Sequence, residues 1–462
     1  MIEQFGLFVS QMYHWVWGIP LLLLLLGTGA YLTILLKGVQ FRYLGYAIKQ
    51  VFAKQRGNSE GDISHFDALM TSLAGAIGTG TIVGVATGIT VGGLGSLFWM
   101  WVMALLGMAT KYSESLLAVK YRELDARGEM IGGPMQYIER GMGWKWMAAL
   151  FAILGAFAAI GVGNLAQVNS IAAAVTEIHD GADPWITGVV VAVITGLVIM
   201  GGVKSIGHVA GVLVPIMAIF YICGGMAIIV LHIDKVPEAF GIIFKSAFTG
   251  QAAVGGFVGS TIMMAIQTGV ARSIFSNESG LGISTIAAAA AKTDSPGRQA
   301  MITMTGALLS TVIVCTITGL VLAVTGVLGS TDETGELVTG VALATKAFDT
   351  LPGGLYVVAI GLILFAFSTV IAWAYYGEKC CEYLLGVRSV PVYRMLYTLL
   401  VIPGSALHIK IVWDLADILN GLMAIPNLIA LIALSGVIIA ETKTFLHTIA
   451  LEREQKKTSS MT

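Results

Sequence analysis

About eleven stretches of this 462-residue chain are apolar over the length a helix needs to cross a bilayer core of roughly 30 Å. They fall near residues 16–37, 66–92, 94–118, 145–176, 184–203, 206–231, 256–292, 299–327, 354–385, 391–409 and 412–441. Backbone amides are not left bare in hydrocarbon, so unbroken apolar segments of this kind span as helices. With 56% hydrophobic and 11% charged residues and a mean hydropathy of +0.84, the chain carries more apolar surface than a soluble fold of this length buries. The expectation is an all-α polytopic membrane protein with about 11 transmembrane helices. Met1 to Tyr13 holds no Lys or Arg, and no small-residue cleavage site follows the first apolar run, so that run is expected to remain as a span.

The formal net charge is −1 and the basic residues are spread along the chain, which leaves no patch for nucleic acid. Cys223, Cys315, Cys380 and Cys381 lack metal-ligand spacing and read as packing residues. Basic residues nevertheless divide between the two sides of the membrane. Lys37, Arg42, Lys49, Lys54 and Arg56 follow the first span, and Lys120, Arg122, Arg127, Arg140 and Lys145 follow the third. Lys379, Arg388 and Arg394 precede the tenth, and Lys443, Arg453, Lys456 and Lys457 follow the last. The opposite side has Lys235, Lys245, Lys346 and Lys410, so the positive-inside rule places the N-terminus outside and the C-terminus in the cytoplasm of a multi-pass cell-membrane protein. Trp15, Trp17, Trp99, Trp101, Trp144, Trp146, Trp185 and Trp413 lie near span ends, where an indole favours the headgroup layer.

Two segments interrupt their own apolar runs: Ala74-Gly-Ala-Ile-Gly-Thr-Gly-Thr81 and Gln267-Thr-Gly-Val-Ala-Arg272. The stretch from Val254 to Ala291 would measure about 57 Å as a straight helix, almost twice the core. A break or re-entrant turn absorbs that excess, whereas tilt alone does not. Leaving span one aside, ten helices divide into two sets of five, each opening on an interrupted segment, and an odd number per half inverts one half relative to the other. The expected organisation is an N-terminal extra helix and loop (1–64), a first five-helix repeat (65–235), a second inverted repeat (236–442) and a cytoplasmic tail (443–462). Broken helices in corresponding places of two halves mark the binding site of a membrane carrier.

Each polar feature has two readings. Gly80, Gly84 and Gly88 at four-residue spacing suit close helix packing, whereas unwinding from Ala76 to Thr81 frees amides for a carboxylate and carbonyls for a cation. Arg272 and Glu278 either emerge into the cytoplasm or act as gate or coupling residues at depth. Asn164, Gln167 and Ser170 share a helix face, for interhelical hydrogen bonds or for a ligand. Ser368 and Thr369 bond back to their own helix or offer oxygens to a hard monovalent cation. Asp417, Asn420 and Asn427 read as interior structural or gating groups outside the site. No nucleophile–base pair or metal cluster lies at membrane depth, which argues against an enzyme, and no ring of identical groups argues for a channel.

Gly75-Ala-Ile-Gly-Thr-Gly-Thr-Ile-Val-Gly-Val-Ala-Thr87, Ser96-Leu-Phe-Trp-Met-Trp101, Gly163-Asn-Leu-Ala-Gln-Val-Asn-Ser170, Phe275-Ser-Asn-Glu-Ser-Gly-Leu-Gly282, Ala366-Phe-Ser-Thr369 with Trp373-Ala-Tyr-Tyr-Gly377, and Asn420-Gly-Leu-Met-Ala-Ile-Pro-Asn427 together resemble the alanine or glycine:sodium symporter family over nearly the whole chain. The resemblance implies a leucine-transporter-type fold of five-plus-five inverted repeats with two broken helices. It implies Na+ as coupling ion and no organic cofactor. A sodium ion would meet the carbonyls of Ala74, Ile77 and Phe365 and the hydroxyls of Ser368 and Thr369. The substrate carboxylate would meet amides near Thr79 and Gly80, beside Thr81. Its ammonium would meet unwound backbone near Thr268 and Gly269, with Gln167 and Trp373 enclosing it. The implied substrates are L-alanine and glycine, with D-alanine a further candidate. Thr81 stands where many members carry Asn, which counts against a second cation site built on that amide; Ala288 stands near a common His. A proton-coupled carrier using Glu278 or Asp67 is the alternative, recognised by uptake that follows pH and ignores sodium.

Overall fold

The computed structural model describes residues 2–53, 59–249, 261–407 and 409–459; Lys54, Arg56 and the start of the seventh apolar window lie outside the described residues. After α1 (Ile2–Val16), α2 (Ile19–Leu35), the short α3 (Val39–Arg42) and α4 (Leu44–Val51), the first half comprises the pair α5 (His65–Ala76) and α6 (Val83–Gly92), α7 (Gly95–Lys120), α8 (Pro134–Met142), α9 (Lys145–Ile160) continuing into α10 (Ala166–Ile178), α11 (Pro184–Ile199) and α12 (Gly202–Leu231). The second half comprises α13 (Val236–Thr249), the pair α14 (Ile262–Asn277) and α15 (Thr285–Ala289), α16 (Pro296–Ala307) continuing into α17 (Thr316–Thr325), α18 (Gly340–Phe348), α19 (Gly354–Leu385), α20 (Val390–Gly404) and α21 (Ile409–Ala433). Helix α22 (Ser435–Ser459) follows, so the tail is largely helical. Between α7 and α8, β1 (Glu123–Leu124) and β2 (Met130–Ile131) pair antiparallel, with Glu123 opposite Ile131.

Among the described residues, five helices are long and apolar enough to cross a membrane: 145–178, 202–231, 296–325, 354–385 and 413–433. Helices α11, α12 and α20 turn Val193, Leu197, Ile216, Ile219, Leu396 and Leu399 outward, all more than half exposed. This is the surface a lipid-facing helix presents, because water is not there to drive it inward. Toward the centre the contacts tighten through small residues. Gly163 faces the Trp373 side chain, Gly88 the aliphatic stem of Arg272 and Gly225 Ile317, and in each case an added Cβ would overlap its neighbour. Such close approach maximises van der Waals contact where hydrophobic collapse is unavailable.

Helix α5 starts with a Ser64 cap: its hydroxyl accepts from Asp67 N at 3.0 Å and donates to the Asp67 carboxylate at 2.8 Å. Asp67 thus begins the broken span and packs beside Gly207 and Gly211 of α12. One expectation is corrected here. The second interrupted span stays helical through Gln267–Arg272, and its break falls at residues 278–284 instead. Thr268 keeps its hydroxyl on Met264 O at 2.7 Å and on Ser96 Oγ at 2.9 Å, while Gly269 lies against Ser96 O and Trp99 of α7. Both residues sit where α14 packs on α7. The chain actually turns where Glu278 takes φ +57°, Gly280 +90° and Gly282 +73°, a backbone region that glycine enters without steric cost.

Candidate functional site

The first break begins at Ile77, whose N–H still bonds Leu73 O at 2.6 Å. Gly78 is extended, at φ −110° and ψ −156°, and Thr79–Thr81 make a single tight turn before α6 resumes. The Thr81 hydroxyl donates to Gly78 O at 2.8 Å, and its carbonyl accepts from Thr318 of α17 at 2.9 Å. The Thr79 amide points at Gln167 Oε1, 3.3 Å away, and the buried Thr79 hydroxyl has no hydrogen-bond partner among the described residues. Gln167 reaches this point because a wide turn of π-helix at Gly161–Leu165 leaves Val162 O to accept from Gln167 Nε2 at 3.0 Å. Asn164 and Ser170, on the same face, bond Tyr397 O and Ala166 O, so they tie helices or their own turn.

On the opposite wall, α19 brings up Ser368, Thr369 and Trp373. The Thr369 hydroxyl lies 2.9 Å from Ala74 O and 3.0 Å from Phe365 O. The Ser368 hydroxyl lies 3.3 Å and 2.8 Å from the same two carbonyls. Two carbonyls and two hydroxyls therefore converge at the mouth of the break, a neutral all-oxygen set of the kind a hard cation takes. A Cβ on Gly78 would overlap the Thr369 hydroxyl and come within 3.2 Å of Gln167 Oε1. Trp373 closes the other side, with its indole N–H 3.4 Å from Gly75 O and its ring 5.8 Å from that of Tyr376.

The second break carries ionic groups. Glu278 lies beside Gly75 and Tyr376, with one carboxylate oxygen 4.0 Å from Lys111 Nζ. Lys111 donates to Asn277 O and Ser284 Oγ, each at 2.7 Å. Glu114 Oε1 accepts from Gly280 N at 2.9 Å, Gly282 N at 3.1 Å and Asn427 Nδ2 at 2.7 Å. Neither Lys111, Glu114 nor Phe275, whose ring a Cβ on Gly80 would overlap, was singled out from sequence. The signal for the first two was present: two ionisable residues three apart inside the third apolar window, where charge is costly unless it serves a partner.

The centre is closed at two levels. On the α6 side, Arg272 pairs with Asp417 of α21, and the Tyr13 hydroxyl of α1 meets the same guanidinium. Trp17 donates to Asp417 O at 2.9 Å, and the Phe275 and Trp413 rings lie 5.0 Å apart. On the α5 side, Lys379 bonds Glu382 at 3.0 Å and Glu129 at 3.1 Å, while Arg127 reaches Glu382 at 3.0 Å, lashing the β-hairpin to the end of α19. Between the two, Thr79, Thr81, Gln167, Ser368, Thr369 and Trp373 are each at most 1% exposed. Asp67 joins neither group, and Arg272 and Glu278 lie on opposite sides of the Phe275 ring along their segment.

A helical membrane protein with two broken spans meeting at its centre and ionic closures on both sides of it is a secondary carrier by architecture. The chain belongs to the sodium:alanine symporter family, whose sequence profile matches residues 2–460. It is 52% identical to the sodium/alanine symporter AgcS of Methanococcus maripaludis, over 95% of this chain and 96% of that protein. It is 35% identical to a putative sodium/proton-dependent alanine carrier protein, YrbD, of Bacillus subtilis, over 97% and 93% respectively. The crystal structure of MhsT in complex with L-phenylalanine superposes with a TM-score of 0.61 at 15% identity, covering 83% of this chain and 93% of that one, which shows a shared fold.

Proposed function

We propose that this chain is a sodium-coupled symporter that takes up small neutral amino acids, L-alanine and glycine, by alternating access across the cell membrane. The observation that carries this reading is the convergence of Ala74 O, Phe365 O and the Ser368 and Thr369 hydroxyls at a helix break one turn from the Thr79 amide. Sodium takes that oxygen set, with the Ile77 carbonyl as a fifth donor. The substrate carboxylate takes the Thr79 and Gly80 amides, displacing Gln167 Oε1 from the first of them. Gln167 and Trp373 enclose the rest of the substrate beside this break. Eleven spans arranged as one extra helix plus two inverted sets of five, with the N-terminus outside, make the Arg272–Asp417 closure the outer one and the Lys379–Glu382 closure the inner one.

The energetics suit accumulation. One charge moving through 100 mV contributes about 2.3 kcal/mol, and a tenfold sodium gradient adds about 1.4 kcal/mol. The sum, roughly 3.7 kcal/mol, supports a several-hundredfold alanine gradient with one ion. In proteoliposomes at fixed voltage and pH, labelled alanine is expected to accumulate under an inward sodium gradient and not under an equal potassium gradient. Equal uptake in the two salts transfers the coupling to protons.

Trp373 sets the size limit of the pocket, since its side chain fills the space that Gly163 leaves open. Trp373→Ala is expected to slow alanine uptake and to let longer neutral side chains compete with it. Competition profiles identical to those of the parent protein remove Trp373 from the site.

A further inference from the structure

The two breaks expose the same kinds of backbone group but satisfy them differently. At the first, the Ala74 carbonyl is met by the neutral Ser368 and Thr369 hydroxyls, the Gly75 carbonyl by the Trp373 indole N–H, and the Thr79 amide by a neutral Gln167 side-chain oxygen. At the second, one helix supplies both ions. Lys111 Nζ sits on Asn277 O and Ser284 Oγ at 2.7 Å each, 4.0 Å from the Glu278 carboxylate. Glu114, three residues on along α7, places its carboxylate on the Gly280 and Gly282 amides. Lys111 and Glu114 thus stand at the second break where the coupling cation and the substrate carboxylate stand at the first.

We propose that Lys111 is a tethered cation that permanently fills the cation position of the second break, so that the carrier couples one sodium ion to each amino acid. The inference rests on the sodium reading above and adds to it the stoichiometry and the residue that fixes it. Lys111 and Glu278 are each 1% exposed, so neither charge has water to fall back on. An ammonium held at hydrogen-bond distance by a carbonyl and a hydroxyl also leaves those oxygens unavailable to a free ion. Lys111 touches neither solute, and its role is to occupy and to position.

The test is a zero-flux measurement on the full-length protein in proteoliposomes, with the membrane voltage clamped at zero. Under a tenfold inward sodium gradient, net alanine movement is expected to stop at an alanine gradient of about tenfold. A balance near a hundredfold means that two ions move, and overturns the inference while leaving sodium symport intact. No sodium-driven movement at all means that the sodium reading itself has failed. Lys111→Ala opens the position to a free ion and is expected to convert a hyperbolic sodium dependence of uptake into a sigmoidal one, with the zero-flux alanine gradient rising toward a hundredfold. A hyperbolic dependence and an unchanged balance in an active Lys111→Ala protein overturn the inference. Should that variant not fold, the balance in the parent protein decides alone.

Discussion

Replacing Ser368 and Thr369 together with alanine is expected to raise the sodium concentration for half-maximal alanine uptake by about 100-fold. A hydrogen bond or ion contact to a charged partner contributes about 1.5–3 kcal/mol, and two hydroxyls are lost at once, so about 3 kcal/mol is a low estimate and corresponds to roughly two decades. The effect belongs to the ion, because both hydroxyls meet the Ala74 and Phe365 carbonyls and neither touches the Thr79 amide. Thr369→Ser keeps the oxygen and is expected to stay near the parent value. Sodium titrations of labelled uptake in proteoliposomes check both, with alanine affinity at saturating sodium as the companion reading. A double variant that titrates like the parent removes the cation from this position.

That prediction was within reach of the sequence, since Ala74, Phe365, Ser368 and Thr369 all follow from the resemblance, and the fold brings them together. The ninth apolar window, 354–385, coincides with α19 because nothing in Gly354–Leu385 competes with helix: it has no proline, no paired glycines, and a largely apolar run from Gly354 to Gly377. The second break was legible only as a length excess. Gln267, Thr268 and Gly269 look like a weak point, yet Thr268 bonds back one turn and Gly269 admits α7, so both strengthen the helix where they sit. Ser279-Gly-Leu-Gly282 is the better marker, because two glycines in three residues permit the positive φ values the turn requires. Helix α1 was not expected at all. Its sequence is too short and mixed to span, and its place is set by distant partners, Trp17 on Asp417 O and Tyr13 on Arg272. Likewise Lys111 and Glu114 take their meaning from residues more than 160 positions away along the chain.

Those distant partners make Arg272 the residue whose loss is expected to cost most. Arg272 and Asp417 have side chains 10% and 3% exposed, so Arg272→Met leaves a carboxylate stranded at depth. Removing one member of such a pair costs about 3–5 kcal/mol, mostly through the uncompensated charge. Removing both is far milder, because no charge is left unpaired. The pair ties several elements together over the site: it joins α14 to α21, takes Tyr13 of α1 and the adjacent Trp17 into the same contact, and lies over the Phe275 ring that faces Gly80. Arg272→Met is therefore expected to reduce sodium-driven alanine accumulation by a factor of 100 or more, about 3 kcal/mol in equivalent terms, with alanine escaping outward faster than it is delivered inward. The double variant Arg272→Met/Asp417→Asn is expected to recover a large part of the loss in folding stability, measured as thermal aggregation in detergent, but little of the accumulation, because the neutral pair no longer holds the closure. Recovery of both together makes the pair a structural brace, and recovery of stability alone makes it the outer gate.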